Sequence, residues 1–258
     1  MKIKGIIKSA ICVAITILMA SAMLVSCTTG ASTRDYDYKT NIGGAEKVLN
    51  STDKKFLVLV NKKHTVGTDY EPNAVGKVDS EYTTGGKSVE LQKDVVVAAE
   101  ALIKEMRACG IKNVSITSGY RSYQRQKTLF EGYCATAKIK NPTWSDEEVK
   151  AFVLATSAYP GTSEHQTGLC MDLFTNEMLE LENYGYEGEY DDKGFAETEA
   201  FEWLQDNAHK FGFILRYPKD KTKITGYSYE SWHYRFVGIA AATEIYEKGI
   251  TLEEYLGK

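Results

Sequence analysis

A chain of 258 residues in which 43% of side chains are apolar is long enough to bury a sizeable core. Its 31 basic and 35 acidic residues give a net charge of −4 with no basic stripe, which excludes nucleic acid as a partner.

The first element reads as a leader, with an uncleaved membrane helix as the alternative, for which the apolar run is short against a span of about 20 residues. Lys2, Lys4 and Lys8 precede an apolar run from Ala10 to Val25, the pattern of a secretory signal. Leu24-Val25-Ser26-Cys27 resembles the lipobox of bacterial lipoproteins, which implies cleavage before Cys27 and lipid on its sulfur. Residues 1–26 are therefore expected to be a signal peptide, and their loss, three lysines and no acid, moves the charge from −4 to −7. Of the five cysteines, Cys12 would leave with the leader and Cys27 would carry lipid. The remaining three, Cys109, Cys134 and Cys170, imply no complete disulfide framework. Residues 27–54 are polar and aperiodic and read as the lipidated cysteine and a flexible tether reaching roughly 30 Å.

From residue 55 to 258 the pattern is that of one domain. Phe56-Leu-Val-Leu-Val60 reads as a buried strand. Ser88–Cys109 reads as a helix with Leu91, Val95, Ala98, Leu102 and Met106 on one face and Gly110 as its stop. Val114–Thr117 alternates as a strand, Ser118–Ser122 turns, and a helix runs from Tyr123 towards Ala137. Ser145 and Glu148 form a capping box for the next helix, which Pro160-Gly161 ends. Leu169–Phe174 is a strand and Asn176–Glu197 a surface loop. Thr198 caps a helix that Gly212 closes. Strands at Phe213–Tyr217 and Trp232–Phe236 and a helix over Ile239–Tyr255, broken at Gly249, complete the chain. Helices and strands mix without βαβ alternation, so the expected fold is α+β, one compact domain with a central, mostly antiparallel sheet flanked by helices.

Chemistry concentrates in two stretches. Thr162-Ser-Glu-His-Gln-Thr-Gly-Leu-Cys-Met-Asp-Leu-Phe174 carries His165 and Asp172, and Glu230-Ser-Trp-His233 carries a carboxylate and a second imidazole. Two imidazoles and a carboxylate match the three protein ligands of a catalytic zinc. Spacing alone leaves two readings open, a metal centre or histidines held in the core or on the surface. Glu230 suits the proton-accepting carboxylate of a hydrolytic site provided it sits in the turn entering the strand, since positions three apart on a regular strand face opposite ways. His64 and His209 read as structural.

SEHQTGLCMD and ESWHYRFVG, with FLVLVNK, SGYRSYQRQ and FGFILRYP in the same order, resemble the D-alanyl-D-alanine carboxypeptidases of the VanY type, zinc peptidases of the LAS group. The resemblance spans roughly residues 55–258. It implies one catalytic zinc ion held by His165, Asp172 and His233, Glu230 as general base, and substrate contacts from Arg121, Gln126 and Ser163. Arg121 would also stabilise an anionic group during catalysis. Cys170 stands where alanine is usual and reads as a small buried side chain; Ser231 stands where proline is common and loosens the turn that holds Glu230. The implied activity is removal of a C-terminal D-alanine from peptidoglycan stem peptides at a D,D or L,D bond, by a lipid-anchored protein of the cell envelope. A stem-peptide-binding lipoprotein that does not cut, or an endopeptidase, are the alternatives.

Overall fold

The computed structural model describes residues 30–180 and 193–258. In chain order its elements are α1 (Glu46–Leu49), β1 (Val75–Lys77), β2 (Glu90–Gln92), α2 (Lys93–Ala108), β3 (Val114–Ser118), α3 (Tyr123–Lys140), α4 (Asp146–Thr156), β4 (Cys170–Thr175), α5 (Lys193–Ala196), α6 (Glu199–Asn207), β5 (Phe213–Leu215), α7 (Thr222–Thr225), β6 (His233–Phe236), α8 (Ile239–Lys248) and α9 (Leu252–Tyr255). The central sheet has the order β3-β4-β6-β5 and every pairing in it is antiparallel. β1 and β2 form a separate antiparallel pair. The α+β arrangement with helices around an antiparallel sheet is the one expected.

The sheet has one apolar and one ionisable face. Leu169, Met171, Leu173, Phe213, Tyr234 and Phe236 pack in the main core with Val95, Ala98, Ala99, Leu102, Ile103 and Met106 of α2. These α2 positions recur at three- and four-residue steps, the stripe that a half-buried helix needs. Strand alternation sends the intervening residues Cys170, Asp172, His233 and Arg235 to the other face. The β4–β6 register sets Asp172 opposite His233 and Cys170 opposite Arg235, so the pairing itself gathers these groups.

Three expectations change. The helix predicted from Ser88 starts at Lys93, because Glu90–Gln92 pair with β1 and Leu91 reaches the core from that strand. Phe56–Val60 is no strand. Lys54–Leu57 form a short 3-10 turn, and the carbonyls of Phe56 and Val58 accept from the Arg235 guanidinium at 2.9 and 2.7 Å in place of a neighbouring strand. The tether expected over residues 27–54 is folded from residue 30 onwards. Ala45 and Leu49 are buried in the main core, the Tyr38 hydroxyl donates to Lys210 O at 2.7 Å, and the Glu105 carboxylate accepts from Lys39 N and Thr40 N at 2.7 and 2.9 Å. This anchoring uses isolated aromatics and backbone amides, which leave no period in the sequence. Cys27 and the signal lie outside the described residues, as does most of the acidic stretch of the predicted loop; at its ends Asn176–Glu180 and Lys193–Ala196 are helical turns.

Candidate active site

Two tight backbone passages bring the histidines together. After a register shift in β3 between Ile116 and Ser118, the chain passes through Gly119, where a Cβ would lie 2.3 Å from the Glu90 carbonyl. Only glycine fits there, and the freed Gly119 carbonyl accepts from His165 Nδ1 at 2.7 Å. Glu164–Thr167 form a buried 3-10 turn that ends at Gly168 in the left-handed region, φ 66°, before β4 begins. This reversal lets His165 and Asp172 converge.

Asp172 is the hub. Its Oδ2 lies 3.2 Å from His165 Nε2 and its Oδ1 3.0 Å from His233 Nδ1. Arg121 NH2 approaches Asp172 Oδ2 at 3.6 Å, and Glu230 Oε2 approaches His233 Nδ1 at 3.5 Å. Glu230 sits where its role requires, in the turn before β6: its N–H donates to Tyr217 O and its carbonyl accepts from His233 N, both at 3.2 Å. Its side chain is 22% exposed and that of Arg121 24%, whereas His165 and His233 are nearly sealed, so the acid and the guanidinium form the solvent-facing rim.

One distal ring nitrogen is hydrogen-bonded from behind and the other faces a carboxylate. His165 Nδ1 meets Gly119 O, and His233 Nε2 faces Glu164 Oε2 at 3.5 Å. That leaves His165 Nε2, His233 Nδ1 and the Asp172 carboxylate converging, two imidazole nitrogens and an oxygen, a donor set that fits zinc. A ring nitrogen of each histidine and the Cys170 sulfur also lie within 4.8 Å of one another.

Electrostatics follow from crowding. Burial opposes ionisation of Asp172, but His165 and His233 hold its carboxyl well below the usual carboxylate range. Burial and Arg121 push His165 down, yet Asp172 draws it up to about 9. Burial raises the Glu230 carboxyl above its ordinary value, the direction that suits a group taking up a proton. Burial likewise opposes the Cys170 thiolate, while the two imidazoles bring the thiol down to about 7.

Gln126 is buried behind Arg121, accepting from Arg121 NH1 at 3.0 Å and donating to Ala158 O at 2.8 Å, and thereby orients the guanidinium. Ser163, also buried, opens the turn that carries His165, and its carbonyl accepts from Gln166 N at 3.2 Å. His64 and His209 stand apart: His64 turns to Asn61, and His209 stacks on Tyr246 with ring centroids 4.0 Å apart. Sequence reasoning missed the support beneath His233. Glu164 Oε1 accepts from Arg216 Nε at 2.7 Å and Arg235 NH1 at 2.5 Å, and Glu253 takes Arg216 NH1 and NH2 at 2.9 and 2.7 Å. The signal was available in an arginine set inside each of the apolar runs FGFILRYP and HYRFVG.

The family model for VanY, D-alanyl-D-alanine carboxypeptidase, matches residues 88–239. A D-alanyl-D-alanine carboxypeptidase of Enterococcus faecalis is 36% identical over 200 residues, 78% of this chain and 65% of the relative. Among solved structures, a mutant of the vancomycin-resistance D,D-pentapeptidase VanY in complex with Zn(II) superposes with a TM-score of 0.61 at 35% identity, covering 78% of this chain and 99% of that one. The LdcB LD-carboxypeptidase superposes with a TM-score of 0.64 at 34% identity, covering 86% and 94%.

Proposed function

Since the chain belongs to the VanY family of D-alanyl-D-alanine carboxypeptidases, a family of zinc metallopeptidases acting on peptidoglycan peptides, we propose that it removes the C-terminal D-alanine from stem peptides with one zinc ion held by His165, Asp172 and His233. The observation that carries this reading is the bridging of both imidazoles by Asp172 at 3.2 and 3.0 Å, with Glu230 and Arg121 on the open rim. Bound there, zinc supplies a Lewis acid for the scissile carbonyl and makes the attacking water more acidic.

The remaining work falls to the chain. Glu230, its carboxyl raised by burial, accepts a proton from the attacking water and returns it to the leaving amine of D-alanine. Arg121, held by Gln126, meets the peptide carboxylate or the oxyanion that develops as the carbonyl is attacked. The Gly119 carbonyl holds the outer nitrogen of His165, so that this imidazole keeps its orientation, and the Glu164 carboxylate faces the outer nitrogen of His233 at 3.5 Å. Mass spectrometry of defined penta- and tetrapeptide muropeptides after incubation with zinc-loaded protein tests the reading. Loss of one terminal D-alanine supports it and names the bond as D,D or L,D. Intact peptides would support the binding lipoprotein instead, and cleaved cross-links the endopeptidase.

Location is part of the same proposal. The lipobox ending at Cys27 supports lipid anchoring in the cell envelope, and Thr28 and Thr29 alone separate that cysteine from the first described residue, Gly30. With residues 30–54 built into the domain, the catalytic unit would stand directly at the membrane. Fractionation of cells expressing Cys27→Ala checks this, with release of active protein expected.

A further inference from the structure

Leu169, Met171 and Leu173 of the β4 segment enter the main apolar core, but Cys170 does not. It is 0% exposed and yet belongs to none of the apolar clusters among the described residues. Its side chain leaves β4 on the same face as Asp172, two residues on, and its register partner is Arg235. Its sulfur is therefore sealed among ionisable groups, where a small hydrophobe gains little from burial.

Its neighbours define what it faces. Ligand atoms of His165, Cys170 and His233 fall within 4.8 Å of one another. Nitrogen and sulfur donors about 2.0–2.3 Å from a tetrahedral zinc ion stand roughly 3.3–3.6 Å apart, so the three need to close by about 1.5 Å at most to share one ion. Cys170 is also free of any disulfide.

We propose that Cys170 is a fourth protein donor to the metal ion of this site, competing with water for the position that His165, Asp172 and His233 leave open. This rests on the metal assignment of the preceding section. As the sulfur–metal bond forms, the S–H bond breaks and its proton passes to solvent; the metal keeps its oxidation state. Four protein donors characterise closed, structural zinc sites, whereas hydrolytic ones keep a position for water. The thiolate thus holds the site in a resting form that binds thiophilic ions well and turns over slowly, and peptide and water must displace it.

The test is the absorption spectrum of purified protein titrated with Co2+ under reducing conditions. The proposal expects one equivalent of cobalt bound with a near-ultraviolet sulfur-to-cobalt charge-transfer band. Cys170→Ala and Cys170→Ser should bind cobalt without that band, and the zinc-loaded variants should turn over faster than the parent. Cobalt bound without the band in the parent protein overturns the proposal while leaving the metal site intact, and needs no variant to fold. A band that survives Cys170→Ala assigns the sulfur to Cys109 or Cys134 and also overturns it. Cobalt binding indifferent to His165→Ala and Asp172→Ala removes the metal site and the proposal together.

Discussion

Two buried ionic clusters lie side by side on one face of the sheet, joined where Glu164 meets His233. In the first, Arg216 and Arg235 are matched by Glu164 and Glu253 through hydrogen bonds of 2.5–2.9 Å, with side chains at most 3% exposed. Two guanidinium and two carboxylate groups pair with one another, and the rest of the Arg235 guanidinium goes to the backbone carbonyls of Phe56, Val58 and Phe236. In the second, His165, Asp172, His233, Glu230 and Arg121 converge at 3.0–3.6 Å, but their shorter contacts run through one carboxylate and the rim opens to solvent. The contrast separates two uses of buried charge. A closed, neutral cluster fixes geometry, and an open one with converging donors can exchange a proton, a metal ion or a substrate.

The largest expected effect breaks the closed cluster. Glu164→Ala leaves two guanidinium groups short of their common partner, and removing one member of a buried ion pair typically costs about 3–5 kcal/mol. Urea unfolding should show a loss of that size, and a loss under about 1 kcal/mol would mean that the arginines find other partners. In the open cluster the loss should appear in rate and not in fold. Arg121→Ala is expected to keep one zinc ion per chain while turnover falls about a hundredfold or more, roughly 3 kcal/mol, the usual effect of removing one charge-stabilising donor. A variant within twofold of the parent would place Arg121 outside the reaction.

Two smaller changes set the scale for polar groups outside both clusters. Tyr38→Phe deletes the hydroxyl that donates to Lys210 O and is expected to destabilise by about 1 kcal/mol in the same unfolding assay. No change at all would mean that residues 30–54 hold on without it. His209 is drawn down to about 4, first by burial and then by Lys210, so its neutral form belongs to the folded state. Its contribution is therefore complete above the unfolded value of about 6.5 and is lost as pH falls towards 4. His209→Phe should close part of any gap in Tm to the parent between pH 7.5 and pH 4.5. A gap that is constant across that range would contradict this origin.

How much of this was legible depends on whether the information was local. The α2 stripe, the Ser145–Glu148 capping box and the Thr198 cap are written in neighbouring residues, and all three form. The two motifs around His165 and His233 were visible as residue types at fixed spacing, and the β4–β6 register sets them opposite each other. Phe56–Val60 misled because an apolar run can be satisfied by a side chain 177 to 179 residues away, as Arg235 does for the Phe56 and Val58 carbonyls. Residues 30–54 misled because sparse aromatic and backbone contacts anchor them. The environment of Cys170 was missed for a related reason: its position on the ionisable face was readable, but the approach of both imidazoles to its sulfur was not.

The central claim is that the open cluster holds a metal through His165, Asp172 and His233 while Glu230 handles the proton. Zinc stoichiometry measured alongside carboxypeptidase rate tests it in one set of variants. Glu230→Gln keeps its volume and hydrogen-bonding reach but cannot accept a proton at neutral pH. It should retain one zinc ion per chain and lose at least about a hundredfold in turnover. His165→Ala, Asp172→Ala and His233→Ala should lose zinc and turnover together. A Glu230→Gln protein that sheds its zinc, or one that keeps a near-normal rate, would contradict the account.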